Sequence, residues 1–295
     1  MKICVVGLGL MGSSLAKRLV SKGFDVVLYN RTIEKAKSLA SELGVEYVEK
    51  PYRCVEKCGI VAIFVSDDEA LMNVLLPPNG MTLTGCRGVY IVNMSTVTIT
   101  ASEMAKNIVE SCGGRYVEAP VWGSVSEVLN GELVVFLGGD ERALEDLRDF
   151  LNAISKKIIY VGPVPKAMAL KLAINQINHT IAANLAEALA FIIASGIEVE
   201  KLYEATRGSW MEPIVDRFID RMIEQKSLRF RLELAAKDLE CFIQSARKLR
   251  LSVIASAAAA QRFMEATMNG YGDRDYTQIG RYLIDSIQKH SKQTH

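Results

Sequence analysis

"KICVVGLGLMGSSLAKRLVSKGFDVVLYNRT" (residues 2–32) is the stretch that decides the fold. Two short valine-rich runs, KICVV and DVVLY, flank a segment of helical spacing, and Gly7, Gly9 and Gly12 stand where the first run gives way to the helix. A β-branched run, a glycine turn, an amphipathic helix and a second β-branched run make a strand–helix–strand unit. In that setting the glycines have separate jobs: a tight turn, close backbone approach to a pyrophosphate, and close helix–strand packing. The helix N-terminus adds N–H groups and a positive dipole end for phosphates. Gly7, Leu8, Gly9, Leu10, Met11 and Gly12 are therefore expected around a dinucleotide. The opening also imitates a signal peptide, with a lysine, an apolar stretch and small residues, but the glycine spacing reads it as mature protein.

The end of the second run selects the dinucleotide. An Asp or Glu there would accept from the adenosine ribose hydroxyls of NAD. The sequence instead has Asn30, Arg31 and Thr32. With no carboxylate to repel it, a 2′-phosphate can sit against the Arg31 guanidinium and the two neighbouring polar side chains. NADP is expected over NAD.

Outward from this unit the pattern repeats. "GIVAIFVS" (59–66), "VYIVNM" (89–94), "RYVEAPV" (115–121), "ELVVFLGG" (132–139) and "KIIYVG" (157–162) read as further strands, separated by helical segments. Apolar runs largely unbroken by charge suit a parallel sheet covered on both faces. After Pro165 only helical segments follow, broken at Gly196, near "GSWMEP" (208–213) and at "NGYGDRDY" (269–276). The Ala-rich "ASAAAAQ" (255–261) suits close helix contact. The expected architecture is α/β: a Rossmann-type doubly wound domain over 1–163, then an all-helical domain over 164–295, joined by a long helix.

Composition removes several function classes. The chain has 295 residues, 49% hydrophobic, with 35 basic and 34 acidic side chains and a net charge of +1. Nothing there marks a nucleic-acid-binding surface. The apolar run 185–197 contains Glu187 and is too short to span a bilayer, so no membrane is expected. The six cysteines form no CxxC pair and have no histidine at ligand spacing, so no metal site is expected. They read as buried or incidental thiols in a reducing cytoplasm, with a disulfide expected only from a hyperthermophile. Of three histidines, His290 and His295 lie in the tail, which makes histidine a poor choice of base.

The remaining chemistry is concentrated in "VGPVPKAMALKLAINQINH" (161–179). A turn with Pro163 and Pro165 opens into an apolar helical run that holds Lys171, then Asn175 one turn on, then Asn178. An ammonium on the apolar side of a helix is costly unless it snorkels, is paired or acts. Lys166, at the helix start, reads as the snorkelling case, and His179 as core or interface.

Six motifs, in order along nearly the whole chain, resemble those of the β-hydroxyacid dehydrogenase family. They are "GLGLMGSSLAKRL" (7–19), "VNMSTVT" (92–98), "EAPVWGS" (118–124), "KLAIN" (171–175), "AAKDLE" (235–240) and "GYGDRDYTQI" (270–279). The resemblance implies that Lys171 is the catalytic lysine and Asn175 its companion. It places Thr96 beside the nicotinamide, with Val65, Ser66 and Lys237 also toward the cofactor. Ser95, Val121, Trp122, Gly123, Ser124 and Asp238 fall on the substrate side, and Phe230 matches a pocket phenylalanine by spacing alone. The Ser124 hydroxyl and the loop N–H groups are expected to receive a carboxylate.

This sequence departs from the pattern where Trp122 stands for a serine, Ser124 for a glycine, Ile174 for an asparagine and Pro165 for a glycine. A base is needed to remove the hydroxyl proton as hydride leaves. Burial against Leu170 and Leu172, and repulsion from an oxidised nicotinamide, would adapt a lysine to that task. The implied activity is NADP-dependent hydride transfer with a small 3-hydroxy acid of the 3-hydroxyisobutyrate, serine or 3-hydroxypropionate type. The alternative is a glyoxylate or succinic semialdehyde reductase, and a different class is a non-catalytic NADP-binding module. Retention of Lys171 argues against an imine reductase and against the non-catalytic module. The chain is too short for a sugar-nucleotide dehydrogenase. A small carboxylate substrate and a cytoplasmic homodimer or homotetramer complete the expectation.

Overall fold

The computed structural model describes residues 2–225 and 227–293, without the side chains of 289–293. His295 and the side chain of His290 lie outside the described residues. Two compact units divide between Lys171 and Leu172, inside a helix and beyond the 163/164 turn where the sequence suggested a boundary.

In the N-terminal unit the strands are β1 (Lys2–Val6), β2 (Asp25–Tyr29), β3 (Glu46–Tyr47), β4 (Ile60–Ile63), β5 (Tyr90–Asn93), β6 (Arg115–Glu118), β7 (Val121–Trp122), β8 (Leu133–Gly138) and β9 (Ser155–Gly162). Between them run α1 (Leu10–Ser21), α2 (Ile33–Leu43), α3 (Tyr52–Lys57), α4 (Asp68–Leu75), α5 (Ile99–Ser111), α6 (Val125–Asn130), α7 (Ala143–Asp146) and α8 (Arg148–Ile154). The strands form one sheet in the order β3-β2-β1-β4-β5-β6-β8-β7, with β9 beside β8. β1 pairs in parallel with both β2 and β4, so the direction of winding reverses between β1 and β4. That reversal opens the crevice at the carboxyl ends of these strands where doubly wound sheets take their ligands. Ile3, Val5, Val26, Leu28, Ile60 and Ala62, all at most 1% exposed, form the covered centre of the sheet.

The sheet is not wholly parallel as the apolar runs suggested. β8 runs antiparallel to both β6 and β7. Only residues 123–132 connect β7 to β8, fewer than the dozen or more of a parallel crossover, so the chain turns back. "RYVEAPV" is also two strands rather than one, and the two-residue β3 is too short and polar to stand out in the sequence.

Residues 166–194 form one helix, α9 (Lys166–Ala194), which spans the boundary between the units. The apolar run at 185–197 is thus mostly the end of a 29-residue helix, which is long and apolar enough to cross a membrane by length and composition alone. This corrects the reading of that run as too short. Its remaining helices are α10 (Val199–Thr206), α11 (Glu212–Ile223), α12 (Leu232–Lys248), α13 (Ile254–Ala266) and α14 (Ile279–Gln293). The C-terminal unit's core gathers Leu189, Phe218, Ile219, Met222, Leu239 and Phe263. Among the described residues its extended pairing is a single bridge between Arg231 and Asp275. Asp275, only 2% exposed, accepts from Arg221 at 2.8 Å and from the N–H groups of Arg229 at 2.9 Å and Phe230 at 3.3 Å. The "GYGDRDY" motif therefore pins the segment that carries Phe230.

Candidate active site

The cofactor cradle is built at the β1–α1 turn. Gly7 has φ +87°, and a Cβ there would lie 2.0 Å from the Phe64 carbonyl oxygen. A Cβ on Gly12 would lie 1.8 Å from the Gly7 carbonyl oxygen. Both glycines are therefore required by the packing of the turn itself. Gly9 is different: a Cβ there would meet nothing within 4 Å. It is the N-cap of α1, no side chain caps it, and the first turn holds no acidic residue. An open, uncapped helix N-terminus whose approach is kept clear of side chain fits a dinucleotide pyrophosphate.

Asn30 does something the sequence reading did not assign. Its Oδ1 accepts from the Leu8 N–H at 2.9 Å, and its Nδ2 donates to the Thr32 carbonyl at 2.9 Å. The amide thus ties the glycine turn to the end of β2, at the edge expected to take the phosphate. Arg31 and Thr32 are exposed at that same edge, and Arg31 enters no ion pair among the described residues. Leu10 is exposed and Met11 half-buried beside the turn.

At the end of β4, the Val65 N–H donates to Ser95 Oγ at 2.9 Å, and Ser95 Oγ donates to the Ile63 carbonyl at 3.2 Å. Ser95 is 3% exposed, and its hydroxyl fastens the ends of β4 and β5 together. Exposed Ser66 donates to Asp67 at 2.6 Å, and Thr96 is half-buried on the turn after β5.

The loop after β6 carries the substrate-side residues. Val121 is buried, and Trp122 pairs with Val134 across the sheet. Gly123 has φ +139°, and a Cβ would press on Leu133 at 2.7 Å, so the position needs glycine. Ser124 caps α6 and gives both its hydroxyl (2.5 Å) and its N–H (2.7 Å) to Glu127. These bonds hold the Glu127 carboxyl down at about 2. Both Ser124 donors thus face a permanent anion, at the loop expected to receive a substrate carboxylate.

Within this unit the Lys171 ammonium lies over the Trp122 ring, 5.4 Å from its centroid. The helix that presents Lys171 is held at its start by a residue the sequence reading passed over. Glu118, fully buried, accepts from the N–H groups of Ala167 at 3.1 Å and Met168 at 3.2 Å, and from the Ser102 hydroxyl at 2.5 Å. A carboxylate on the first N–H groups of a helix satisfies them and complements the dipole. Burial nevertheless pushes the Glu118 carboxyl up to about 7, against the pull of these three bonds. Val97 adds an N–H to the Met168 sulfur at 3.5 Å. The signal available in the sequence was an acidic residue inside the apolar run YVEAPV (116–121).

The C-terminal unit holds the second set of residues. Asn175, 5% exposed, donates from Nδ2 to Asp238 Oδ2 at 2.5 Å. Lys237 Nζ lies 2.6 Å from Asp238 Oδ1, and His179 Nε2 lies 3.9 Å from Asp238 Oδ2. Asp238 is 2% exposed and thus collects an amide, an ammonium and an imidazole. His179 stacks on Phe230 with ring centroids 5.7 Å apart and meets Phe263 and Tyr276 edge-on. At 3% exposed it is core, one of the two readings, core or interface, that the sequence allowed. The i, i+4, i+8 spacing of Lys171, Asn175 and His179 was the sequence signal for its place on this face.

Residues 2–162 match the family described as the NAD binding domain of 6-phosphogluconate dehydrogenase. Residues 166–283 match the NAD-binding domain of NADP-dependent 3-hydroxyisobutyrate dehydrogenase. The chain belongs to the β-hydroxyacid dehydrogenase family. As a member of that family it carries a nicotinamide-cofactor domain and is an NAD(P)-dependent oxidoreductase by descent. Glyoxylate/succinic semialdehyde reductase 1 of Arabidopsis thaliana is 27% identical over 95% of this chain and 97% of its own length. The cytokine-like nuclear factor N-PAC of Homo sapiens is 31% identical over 96% of this chain, which spans 51% of that protein. The 3-hydroxyisobutyrate dehydrogenase of Mycobacterium tuberculosis, solved with L-serine, shares the fold with a TM-score of 0.81 at 21% identity, over 96% of this chain and 98% of that one.

Proposed function

We propose that this β-hydroxyacid dehydrogenase transfers a hydride between NADP and a small 3-hydroxy acid of the 3-hydroxyisobutyrate, serine or 3-hydroxypropionate type, with Lys171 as general acid and base. The observation that carries the reading is the Lys171 amine over Trp122, at the loop where the family takes its substrate, on a helix whose start is clamped by Glu118. The exposed Arg31, with no carboxylate beside it at the end of β2, supports NADP over NAD.

A bound nicotinamide would supply the hydride acceptor and donor. Gly9 and the first N–H groups of α1 would hold its pyrophosphate, and Arg31 the 2′-phosphate. In the oxidative direction the neutral Lys171 amine takes the hydroxyl proton onto Nζ. In reverse its ammonium returns that proton to the carbonyl oxygen, and the amine is regenerated. Asn175, one turn along α9, has its amide oriented by the Nδ2 bond to buried Asp238. The substrate carboxylate meets the backbone of Val121–Gly123 rather than Ser124, whose donors serve Glu127.

The same residues support reduction of glyoxylate or succinic semialdehyde, favoured by similarity to the Arabidopsis reductase over nearly both full lengths. Assaying 3-hydroxyisobutyrate, serine and 3-hydroxypropionate with NADP, and both aldehydes with NADPH, separates the two. Activity with none of them, alongside tight NADP binding, would support a non-catalytic module instead. The assembly proposed is a homodimer or homotetramer, to be read by light scattering.

A further inference from the structure

Two thiols outside the candidate site are placed as a pair. Cys112 follows the last residue of α5, and the Cys86 N–H donates to the Cys112 carbonyl at 2.9 Å. Two residues later the Gly88 N–H donates to the Gly113 carbonyl at 3.2 Å, so the segments run locked side by side. A direct backbone hydrogen bond holds two Cα atoms on the order of 5 Å apart, inside the roughly 4.4–6.8 Å that a disulfide spans. After burial, the nearby Cys112 thiol raises the Cys86 thiol further, while Cys86 Sγ donates to the Met81 carbonyl at 3.6 Å and Cys112 Sγ to the Val109 carbonyl at 3.1 Å.

Access distinguishes this pair from the other cysteines. Cys4, Cys54 and Cys58 sit close together, but none is more than 4% exposed. Cys241 is buried in the other unit. Cys112 is half-buried, while Cys86 is fully buried. That is the arrangement of an attacking thiol with a resolving partner.

We propose that Cys86 and Cys112 are an oxidisable pair that closes into a disulfide on meeting a low-molecular-weight disulfide. The Cys112 thiolate attacks one sulfur of the reagent, forming a mixed disulfide and releasing one reagent thiol. Cys86 then attacks the Cys112 sulfur, giving up its proton, and the second reagent thiol leaves. Two protein thiols are oxidised, the reagent is reduced to two thiols, and the two S–H protons end on them. The covalent ring encloses β5, the Ser95–Thr96 turn and α5, and it restricts the unfolded chain far more than the folded one.

The test uses the full chain, first reduced and then incubated with oxidised glutathione. Thiols counted after denaturation should fall from six per chain to four. A non-reducing peptide map should show the Cys86 and Cys112 peptides linked, and the thermal midpoint should rise by roughly 5–10 °C. Cys112→Ser, a change at a half-exposed position, should abolish the link and the rise. Six thiols remaining, a glutathione adduct on Cys112 with Cys86 still reduced, or a link between any other pair would overturn the proposal.

Discussion

Lys171 and Trp122 face each other: the ammonium lies 5.4 Å from the centre of the indole ring. The most conspicuous departure from the family's loop therefore touches the residue that performs the proposed chemistry. A cation over an aromatic face gains about 0.5–2 kcal/mol, enough to alter how firmly the amine is held.

Trp122→Ser removes that face and restores a hydroxyl at the loop. Relative kcat/KM among serine, 3-hydroxyisobutyrate and 3-hydroxypropionate should change by about fivefold or more, the equivalent of about 1 kcal/mol. The Michaelis constant for NADP should stay the same. An unaltered substrate profile would show that the indole only packs.

Ser124→Ala tests whether this hydroxyl serves the fold or the substrate. Losing the cap should destabilise the N-terminal unit by about 1 kcal/mol, visible in urea melts. Substrate KM should hold within about twofold, since both Ser124 donors serve Glu127. A large rise in KM with unchanged stability would return Ser124 to the substrate.

Glu118 makes stability depend on pH. Its folded carboxyl is raised to about 7 while an unfolded one titrates at roughly 4.3, so between these values the folded chain holds the extra proton. The stabilising contribution is full below the lower value and is lost as pH rises through the upper one. The loss is on the order of 3 kcal/mol. Glu118→Gln, which cannot ionise, should flatten that part of the profile. A variant whose unfolding free energy keeps the wild-type slope between pH 4.5 and 7.5 would remove Glu118 as the cause.

Arg31→Ala should raise the Michaelis constant for NADP by about tenfold or more, about 1.4 kcal/mol of charge-assisted contact, and leave that for NAD nearly unchanged. Equal use of both cofactors by the wild-type protein would refute the NADP preference at the outset.

Much of this was legible in the chain. The β1–α1 glycines announced their turn because Gly7 takes a positive φ and Gly12 has no room for a Cβ, and the apolar runs marked seven of the nine described strands. What escaped was non-local. Asn30 read as a phosphate ligand because spacing reveals position but not that its amide is already shared between Leu8 and Thr32. The resemblance put Ser95 and Ser124 on the substrate side, but a motif does not show that their hydroxyls already bond Ile63 and Glu127. Glu118 stood out only as an acid in an apolar run, since the helix start it caps lies 49 residues away. The direction of β8 depended on a connection length that only the strand ends define.

The most direct test is turnover of Lys171→Met beside Lys166→Met, whose parent lysine is exposed five residues earlier on the same helix. The methionine keeps the stem and removes the amine that moves the proton. For Lys171→Met, kcat should fall by roughly two to four orders of magnitude across the pH range. NADP binding, measured separately by cofactor fluorescence, should stay within about twofold, and Lys166→Met should match the wild type. Near-normal turnover by Lys171→Met would contradict the account and reduce Lys171 to a lysine that merely rests on Trp122.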